Sequence, residues 1–100
     1  MEPKAVRLTD NVLQHELASL PQWRLEGEGK DAVIVREFKF ADFVAAMQFV
    51  NHLAEAAESA GHHPDIDIRY NKVRLALVTH DAGGITAKDI ALAQTADSFA

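Results

Sequence analysis

The sequence predicts an α+β fold in which one four-stranded antiparallel sheet carries three helices packed on one of its faces. Three stretches have apolar residues at helical spacing, and two other regions alternate apolar and polar residues on either side of a short turn. Three helices are too few to cover both faces of a sheet, and two hairpins supply antiparallel strand pairs. The predicted order is α-β-β-α-β-β-α. We expect one domain over residues 1–100, because half of so short a chain could not bury its own core.

The first helix is predicted over about residues 10–20. Thr9 or Asp10 can cap its first turn, and Pro21 disfavours the helical conformation at the residue before it. Its apolar positions at helical spacing are Leu13, Leu17 and Leu20. A hairpin follows, because residues 23–25 and 32–40 are rich in aromatic and β-branched side chains and Gly27-Glu28-Gly29 separates them.

The second helix is predicted over residues 42–60, where apolar residues recur at i, i+3, i+4 and i+7. Gly61 favours the left-handed conformation that ends many helices. Residues 66–70 and 73–77 then alternate apolar and polar side chains around Asn71-Lys72, which predicts a second hairpin with a two-residue turn. Thr86 can cap a third helix from about residue 87 towards residue 99, with Asp89 completing a capping box.

Charge and composition exclude several classes of function. The 15 acidic residues outnumber the 10 basic ones, and a net charge of −5 would repel a nucleic-acid backbone, so no direct nucleic-acid partner is expected. The absence of cysteine excludes disulfides, thiolate nucleophiles and Cys-ligated zinc. No apolar run reaches the roughly 18 residues of a membrane span, and the first ten residues hold no signal-type apolar stretch. A cytoplasmic location without a membrane partner is therefore expected.

Histidines gather at one end of the second hairpin if its turn is Asn71-Lys72. Tyr70 would then face Val73, and counting outward from the turn places His63 opposite His80, with Cβ atoms about 5 Å apart. His62 would lie beside this pair.

Two acidic residues are expected at the same end of the sheet. Glu58 lies one helical turn before Gly61, and Asp89 opens the helix that follows the loop after His80. The two remaining histidines, His15 and His52, lie within predicted helices and receive no role.

Spacing alone is compatible with three interpretations of these residues: acid–base catalysis, a metal site, or a cluster without chemical function. Without chemistry, the paired histidines would belong to a solvated helix-exit loop, Asp89 would only cap its helix, and Glu58 would lie on a solvated helix face. A metal site is the weaker alternative, because adjacent His62 and His63 do not easily point at one ion and no His-x-His or His-x₃-His pair is present.

The segment from residue 58 to residue 89, ESAGHHPDIDIRYNKVRLALVTHDAGGITAKD, resembles the pterin-4a-carbinolamine dehydratases, also known as dimerization cofactors of a homeodomain transcription factor. The matching positions are His62-His63-Pro64, Tyr70-Asn71-Lys72-Val73, Leu77, Thr79-His80, Gly84, Thr86 and Asp89, with Trp23 and Phe38-x-Phe40-x-Asp42-Phe43 upstream. The resemblance implies the same element order and dehydration of a 4a-hydroxytetrahydropterin to a quinonoid dihydropterin and water. It implies neither a metal nor a cofactor.

The resemblance also implies roles for the residues. His62 and His80 form the proton-transferring pair, His63 holds the substrate, and Asp89 and Glu58 orient imidazoles. The stretches that resemble pterin-contacting segments comprise Gly61, His62, His63, Val78, Thr79, His80 and Asp81. Imidazole suits both proton transfers, since its unperturbed pKa of about 6.5 lets one ring be protonated and another neutral. The hairpin register by itself would instead pair His63 with His80.

Two departures from the family pattern bear on turnover and substrate range. The family usually has an acidic or amide residue where this chain has Gly61, and often a Trp where it has Ile66. The implied partner is a pterin substrate in tetrahydrobiopterin or pterin recycling. Its source stays open between an aromatic amino-acid hydroxylase, molybdopterin metabolism and some other pathway. The alternative function is a non-catalytic pterin-binding, oligomerisation or coactivator module on the same fold.

Apolar surface on the second and third helices predicts self-association. The second helix is apolar over a wide arc, and the third offers two stripes, Ile90 with Ala93 and Leu92 with Ala96 and Phe99. One sheet face would not cover all of this surface, so a homodimer or homotetramer is expected. The resemblance implies pairing of subunits through their sheets, often as a dimer of dimers through a helical bundle. A charged residue in place of Leu92 is expected to dissociate the subunits.

Overall fold

The computed structural model describes residues 5–100, and its elements follow the predicted α-β-β-α-β-β-α order. The helices are α1 (Asp10–Ala18), α2 (Phe43–Ala60) and α3 (Ala87–Phe99). The strands are β1 (Arg24–Glu26), β2 (Val33–Lys39), β3 (Asp65–Arg69) and β4 (Lys72–Leu77). Short 3₁₀ turns occupy Gly29–Asp31 and His80–Ala82. No helix in the described range is both long and apolar enough to cross a membrane.

The strands form one antiparallel sheet in the order β1-β2-β4-β3. Facing pairs such as Ile34–Leu77 and Phe38–Val73 lie on the same side of the sheet, since opposed residues share a face. These four side chains are buried and belong to a hydrophobic cluster that includes residues of all three helices. The predicted α+β fold, with a four-stranded sheet and helices on one face, is confirmed.

Aromatic packing joins α2 to the sheet. The rings of Phe38 on β2 and Phe49 on α2 have centroids 4.6 Å apart, and Phe40 approaches Phe49 at 5.0 Å. Trp23 meets Phe38 edge to face at 6.1 Å, and its indole N–H donates to Asp97 on α3 at 2.9 Å. Burying an aromatic side chain of this kind stabilises the fold by roughly 1.5–3 kcal/mol, so this group fixes α2 and α3 relative to the strands.

The helix starts follow from local sequence. Thr9, and not Asp10, caps α1: its hydroxyl accepts from the backbone N–H of Val12 at 3.3 Å. The carboxylate of Asp42 accepts from the N–H of Ala45 at 2.8 Å at the start of α2. At α3 the predicted capping box of Thr86 and Asp89 is present. Helix α1 ends at Ala18, two residues earlier than predicted.

The register predicted for the second hairpin is wrong by one residue on each strand. The turn is Tyr70-Asn71, so Arg69 pairs with Lys72 instead of Tyr70 with Val73. Asn71 is held from outside the hairpin, since its backbone carbonyl accepts from the N–H of Phe40 at 2.8 Å and its side chain donates to the Phe40 carbonyl at 2.9 Å.

This anchoring places Tyr70 at a φ of 54° in the left-handed region. Because β3 begins at Asp65 and β4 ends at Leu77, His63 and His80 both lie beyond the paired strands. The predicted pairing of His63 directly across the strand ladder from His80 is therefore also wrong.

Most of the apolar surplus predicted on the third helix is buried: of the five apolar residues assigned to its two stripes, four are buried and Phe99 is 39% exposed. Ile90 and Leu92, assigned to two different stripes, are 5% and 4% exposed within the single chain, because α3 packs against α2 as well as facing the sheet. Leu92 therefore belongs to the core. A charged substitution there would unfold the chain before it could report on subunit contacts.

Candidate active site

A cleft of about 230 Å³ lies where α2 ends, β4 ends and α3 begins. It collects the histidines that the sequence analysis singled out, together with backbone from two loops. Its lining residues are Gly61, His62, His63, Val78, Thr79, His80, Asp81 and Lys88. All seven residues predicted to contact substrate are among them.

The end of α2 sets the position of the paired histidines. Gly61 adopts a φ of 63°, and its N–H donates to the Glu58 carbonyl while the N–H of His62 donates to the Ala57 carbonyl. These two bonds form a Schellman motif, which turns the chain sharply away from the helix. The turn brings His62 inward, where it is 9% exposed, and leaves His63 exposed.

His62 contacts a buried carboxylate. Its Nε2 lies 2.6 Å from Oδ1 of Asp89, whose side chain is fully buried. A bond this short between an imidazole and a carboxylate is among the stronger hydrogen bonds in proteins. The bond holds the His62 ring in one orientation.

Asp89 performs two tasks with its two oxygens. While Oδ1 meets His62, Oδ2 accepts from the backbone N–H of Thr86 at 2.8 Å and from the hydroxyl of Thr79 at 2.8 Å. The N-terminus of α3 also favours a negative charge at this position. Capping of the helix and orientation of the imidazole, which were alternatives at the sequence level, therefore occur together.

His63 has a weaker, exposed carboxylate partner. Its Nε2 lies 2.9 Å from Oε2 of Glu58, and the two side chains are 62% and 81% exposed. Solvent screens such a pair, so it restrains the ring less than Asp89 restrains His62.

His80 approaches the cleft from the other loop. It begins the 3₁₀ turn His80–Ala82, which Gly83 closes in a left-handed conformation with a φ of 73°. A short bridge between Thr79 and Gly84 ties the two ends of this loop together. His80 is exposed and lines the cleft with His62 and His63, which makes its imidazole accessible to a bound molecule.

The structure brings the three predicted imidazoles into one cleft, and each of the two predicted carboxylates is hydrogen-bonded to one of these histidines. His15 and His52, given no role, lie elsewhere on α1 and α2. Sequence reasoning missed Lys88, which lines the cleft from the first turn of α3. The sequence signal that could have identified Lys88 is its position directly before Asp89, within the capping box of α3.

Two further geometric facts bear on the kind of site. In the described part of the chain, no group of three His, Asp or Glu side chains is arranged to hold one metal ion. A larger cleft of about 410 Å³ lies between α1 and the loop joining β1 to β2, but its lining contains no histidine. Of these two clefts, the histidine cleft is therefore the one lined by groups that can transfer protons near neutral pH.

Fold and site together define a small α+β protein with a histidine-lined cleft backed by a buried carboxylate. The family model described as Pterin 4 alpha carbinolamine dehydratase matches residues 6–99, and the chain belongs to this family. Two relatives carry pterin-4-alpha-carbinolamine dehydratase as a provisional name. The one from Acidobacterium capsulatum is 55% identical over 93 residues, which are 93% of this chain and 97% of the relative. The one from Chloroflexus aurantiacus is 57% identical over 93 residues, 93% of this chain and 96% of the relative.

Solved structures agree with this assignment. A transcriptional coactivator/pterin dehydratase from Brucella melitensis has a TM-score of 0.88 and 35% identity, covering 94% of this chain and 98% of that one. A pterin dehydratase-like protein identified as a RuBisCO assembly factor in the alpha-carboxysome has a TM-score of 0.67 and 23% identity, covering 78% and 88%. The second likeness shows a shared fold alone.

Proposed function

We propose that this protein is a hydro-lyase that dehydrates 4a-hydroxytetrahydropterins to quinonoid dihydropterins. The observation that carries the proposal is the cleft in which three imidazoles meet, one of them held by a fully buried carboxylate. Membership of the pterin 4 alpha carbinolamine dehydratase family supplies the substrate class.

The reaction needs one acid and one base. The bond from carbon 4a to its hydroxyl oxygen breaks while N5 loses a proton, and the departing hydroxide and that proton together make one water. The new double bond joins carbon 4a to N5. Each positioned proton transfer typically contributes about 10² to 10⁴ in rate, and an imidazole serves either role near neutral pH.

We assign the two proton transfers to His62 and His80, which line the cleft from different loops and so can approach a flat ring from different sides. His63 holds the substrate. Asp89 orients His62, and Glu58 restrains His63 less firmly. The backbone stretches Gly61–His63 and Val78–Asp81 enclose the pterin.

A regulatory role on the same fold is the second candidate. The Brucella melitensis relative is described as both a transcriptional coactivator and a pterin dehydratase, which shows that the two descriptions fit one fold. A binding module of this kind would not need all three imidazoles in one accessible cleft, so the site favours catalysis. As an enzyme, the protein would act in pterin recycling, with an aromatic amino-acid hydroxylase as one source of the substrate and molybdopterin metabolism as another.

Stopped-flow absorbance tests the proposal. A 4a-hydroxytetrahydropterin is generated chemically, and its loss is followed with and without the purified protein. We expect acceleration proportional to protein concentration, and the same acceleration from His15→Ala, which removes an exposed histidine on α1. A rate equal to the uncatalysed one at every protein concentration would leave only the binding role.

A further inference from the structure

We infer that Thr79 and Thr86 are positioning residues that fix the tautomer of His62 through Asp89. The inference deepens the proposed dehydration, and its kinetic consequence rests on that function. It also changes the role of Thr79, which the sequence analysis placed among the substrate contacts. Thr79 is 7% exposed, and its hydroxyl is engaged by Thr86 and Asp89.

The direction of each hydrogen bond follows from the donors whose identity is certain. The backbone N–H of Lys88 donates to Oγ1 of Thr86 at 3.2 Å, and the backbone N–H of Thr86 donates to Oδ2 of Asp89 at 2.8 Å. The hydroxyls of Thr79 and Thr86 lie 2.7 Å apart, and Thr79 donates to Oδ2 of Asp89 at 2.8 Å. Since a hydroxyl has one proton, Thr79 must accept the bond from Thr86.

In this hydrogen-bond network, each donor therefore points along the series that ends at Asp89. A buried carboxylate that receives two donors on Oδ2 at the N-terminus of α3 is stabilised as the anion. Its other oxygen, Oδ1, can then only accept, so the 2.6 Å contact is an Nε2–H of His62 donating to it. The neutral His62 ring thus carries its proton on Nε2 and its lone pair on Nδ1.

Nδ1 of His62 is not fully enclosed by the protein. Across residues 5–100 this nitrogen has no hydrogen-bond partner. Since no fully buried side-chain nitrogen or oxygen in that range lacks a partner, Nδ1 must retain some exposure. His62 also lines the histidine cleft. The network consequently presents His62 as a proton acceptor, which assigns it the base at N5 and leaves the acid at the departing oxygen to His80.

The experiment is long-range ¹H–¹⁵N correlation spectroscopy of the ligand-free protein, labelled with ¹⁵N-histidine, together with kinetics of matched variants. For the unmodified protein we expect neutral His62 as the Nε2–H tautomer. Thr79→Val should give a mixture of tautomers and lower kcat by about tenfold or more with KM within about twofold. Thr79→Ser restores the hydroxyl and should restore both readouts.

Thr86→Val removes the hydroxyl that donates to Thr79. We expect it to change the His62 tautomer and kcat in the same direction as Thr79→Val. Thr9→Val is the matched control, because it also removes a helix-capping threonine hydroxyl but lies on α1, outside the network. It should change neither the spectrum of His62 nor kcat. Thermal unfolding of each variant identifies any loss of fold.

Two outcomes would overturn the inference. One is an Nδ1–H tautomer for His62 in the unmodified protein, and the other is a folded Thr79→Val variant with an unchanged tautomer and unchanged kcat. The spectrum is recorded without substrate, so it reports on the network even if the stopped-flow assay finds no dehydration. If Thr79→Val does not fold, the spectrum of the unmodified protein and the Thr86→Val variant still decide.

Discussion

The two carboxylates hydrogen-bonded to the histidines differ mainly in burial. Asp89 is fully buried and contacts His62 at 2.6 Å, whereas the Glu58 side chain is 81% exposed. A carboxylate removed from solvent holds its hydrogen-bond partner in place, whereas water competes for the hydrogen bonds of an exposed carboxylate. Equivalent changes at the two positions should therefore have unequal effects.

We expect Asp89→Asn to lower kcat by at least about 100-fold, since an amide that keeps the shape can stabilise the wrong imidazole tautomer. Glu58→Gln serves as the matched variant and should change kcat by less than about threefold. Steady-state kinetics by stopped flow measure both. Equal losses in the two variants would contradict the distinction drawn from burial.

The three cleft histidines are expected to separate by kinetic parameter. His62→Ala and His80→Ala should each lower kcat by at least about tenfold while the chain stays folded, because both are proposed proton-transfer groups and neither belongs to the hydrophobic core cluster. His63→Ala should act mainly by raising KM. A His63→Ala variant with normal KM and abolished turnover would show that the roles of the adjacent pair are exchanged.

Among the elements, the helix boundaries were largely readable from sequence and the hairpin register was not. Thr86, Asp89 and Gly61 act on backbone groups within a few residues, so local sequence identifies the caps of α3 and the end of α2. The turn at Tyr70-Asn71 depends on Phe40, 31 residues from Asn71. The burial of Leu92 likewise depends on packing between helices, which the spacing of α3 alone does not contain.

The departure from the family pattern expected at Gly61 has a conformational explanation. The position requires a φ of 63°, which Gly adopts freely and which Asn and Asp tolerate better than most other residues. Asn or Asp can therefore satisfy the same turn as Gly.

We expect Gly61→Ala to lower the free energy of unfolding by about 1–2 kcal/mol, and Gly61→Asn to lower it by less. A Cβ at this position meets no heavy atom within 4 Å, so the cost comes from the backbone conformation. Urea unfolding followed by circular dichroism measures both variants. An Ala variant as stable as the unmodified protein would show that the turn is not required.

On the outer face of the sheet, Glu26 of β1 reaches across β2 to β4. It accepts from Arg24 at 3.1 Å and from Arg74 at 2.7 Å. The hydrogen bond from Arg24, aided by the charge of Arg74, lowers the pKa of Glu26 from its ordinary value. A lowered pKa in the folded state means that this contribution to stability is present above the unfolded-state pKa, about 4.3, and is lost as the pH falls through the folded-state pKa.

Glu26→Gln should therefore be slightly less stable than the unmodified protein at pH 7 and should match it at strongly acidic pH. The difference is small because the site is open to solvent. Urea unfolding at both pH values tests the sign. A gap that widens toward acidic pH would contradict it.

Across the whole molecule, apolar surface remains uncovered on α2 after the single chain has folded. Phe43 is 48% and Val44 is 64% exposed at the start of this helix, and Ala54 is exposed further along it. The outer sheet face instead carries ion pairs such as Arg74–Glu26. Since four of the five apolar residues assigned to the stripes of α3 are buried and Phe99 alone of them is exposed, the apolar surface that predicts self-association lies mainly on α2. The histidine cleft lies at the opposite end of α2 from Val44.

We predict a dimer or tetramer at micromolar concentration, and Val44→Asp should shift it toward the monomer while the chain stays folded, because Val44 contributes little to the core. Leu92→Asp is the contrasting variant and should unfold the chain, since Leu92 is 4% exposed. Light scattering gives the mass, and circular dichroism gives the folded state. A mass near 11.0 kDa for the unmodified protein would rule out the assembly, and an unchanged oligomer in Val44→Asp would place the interface elsewhere.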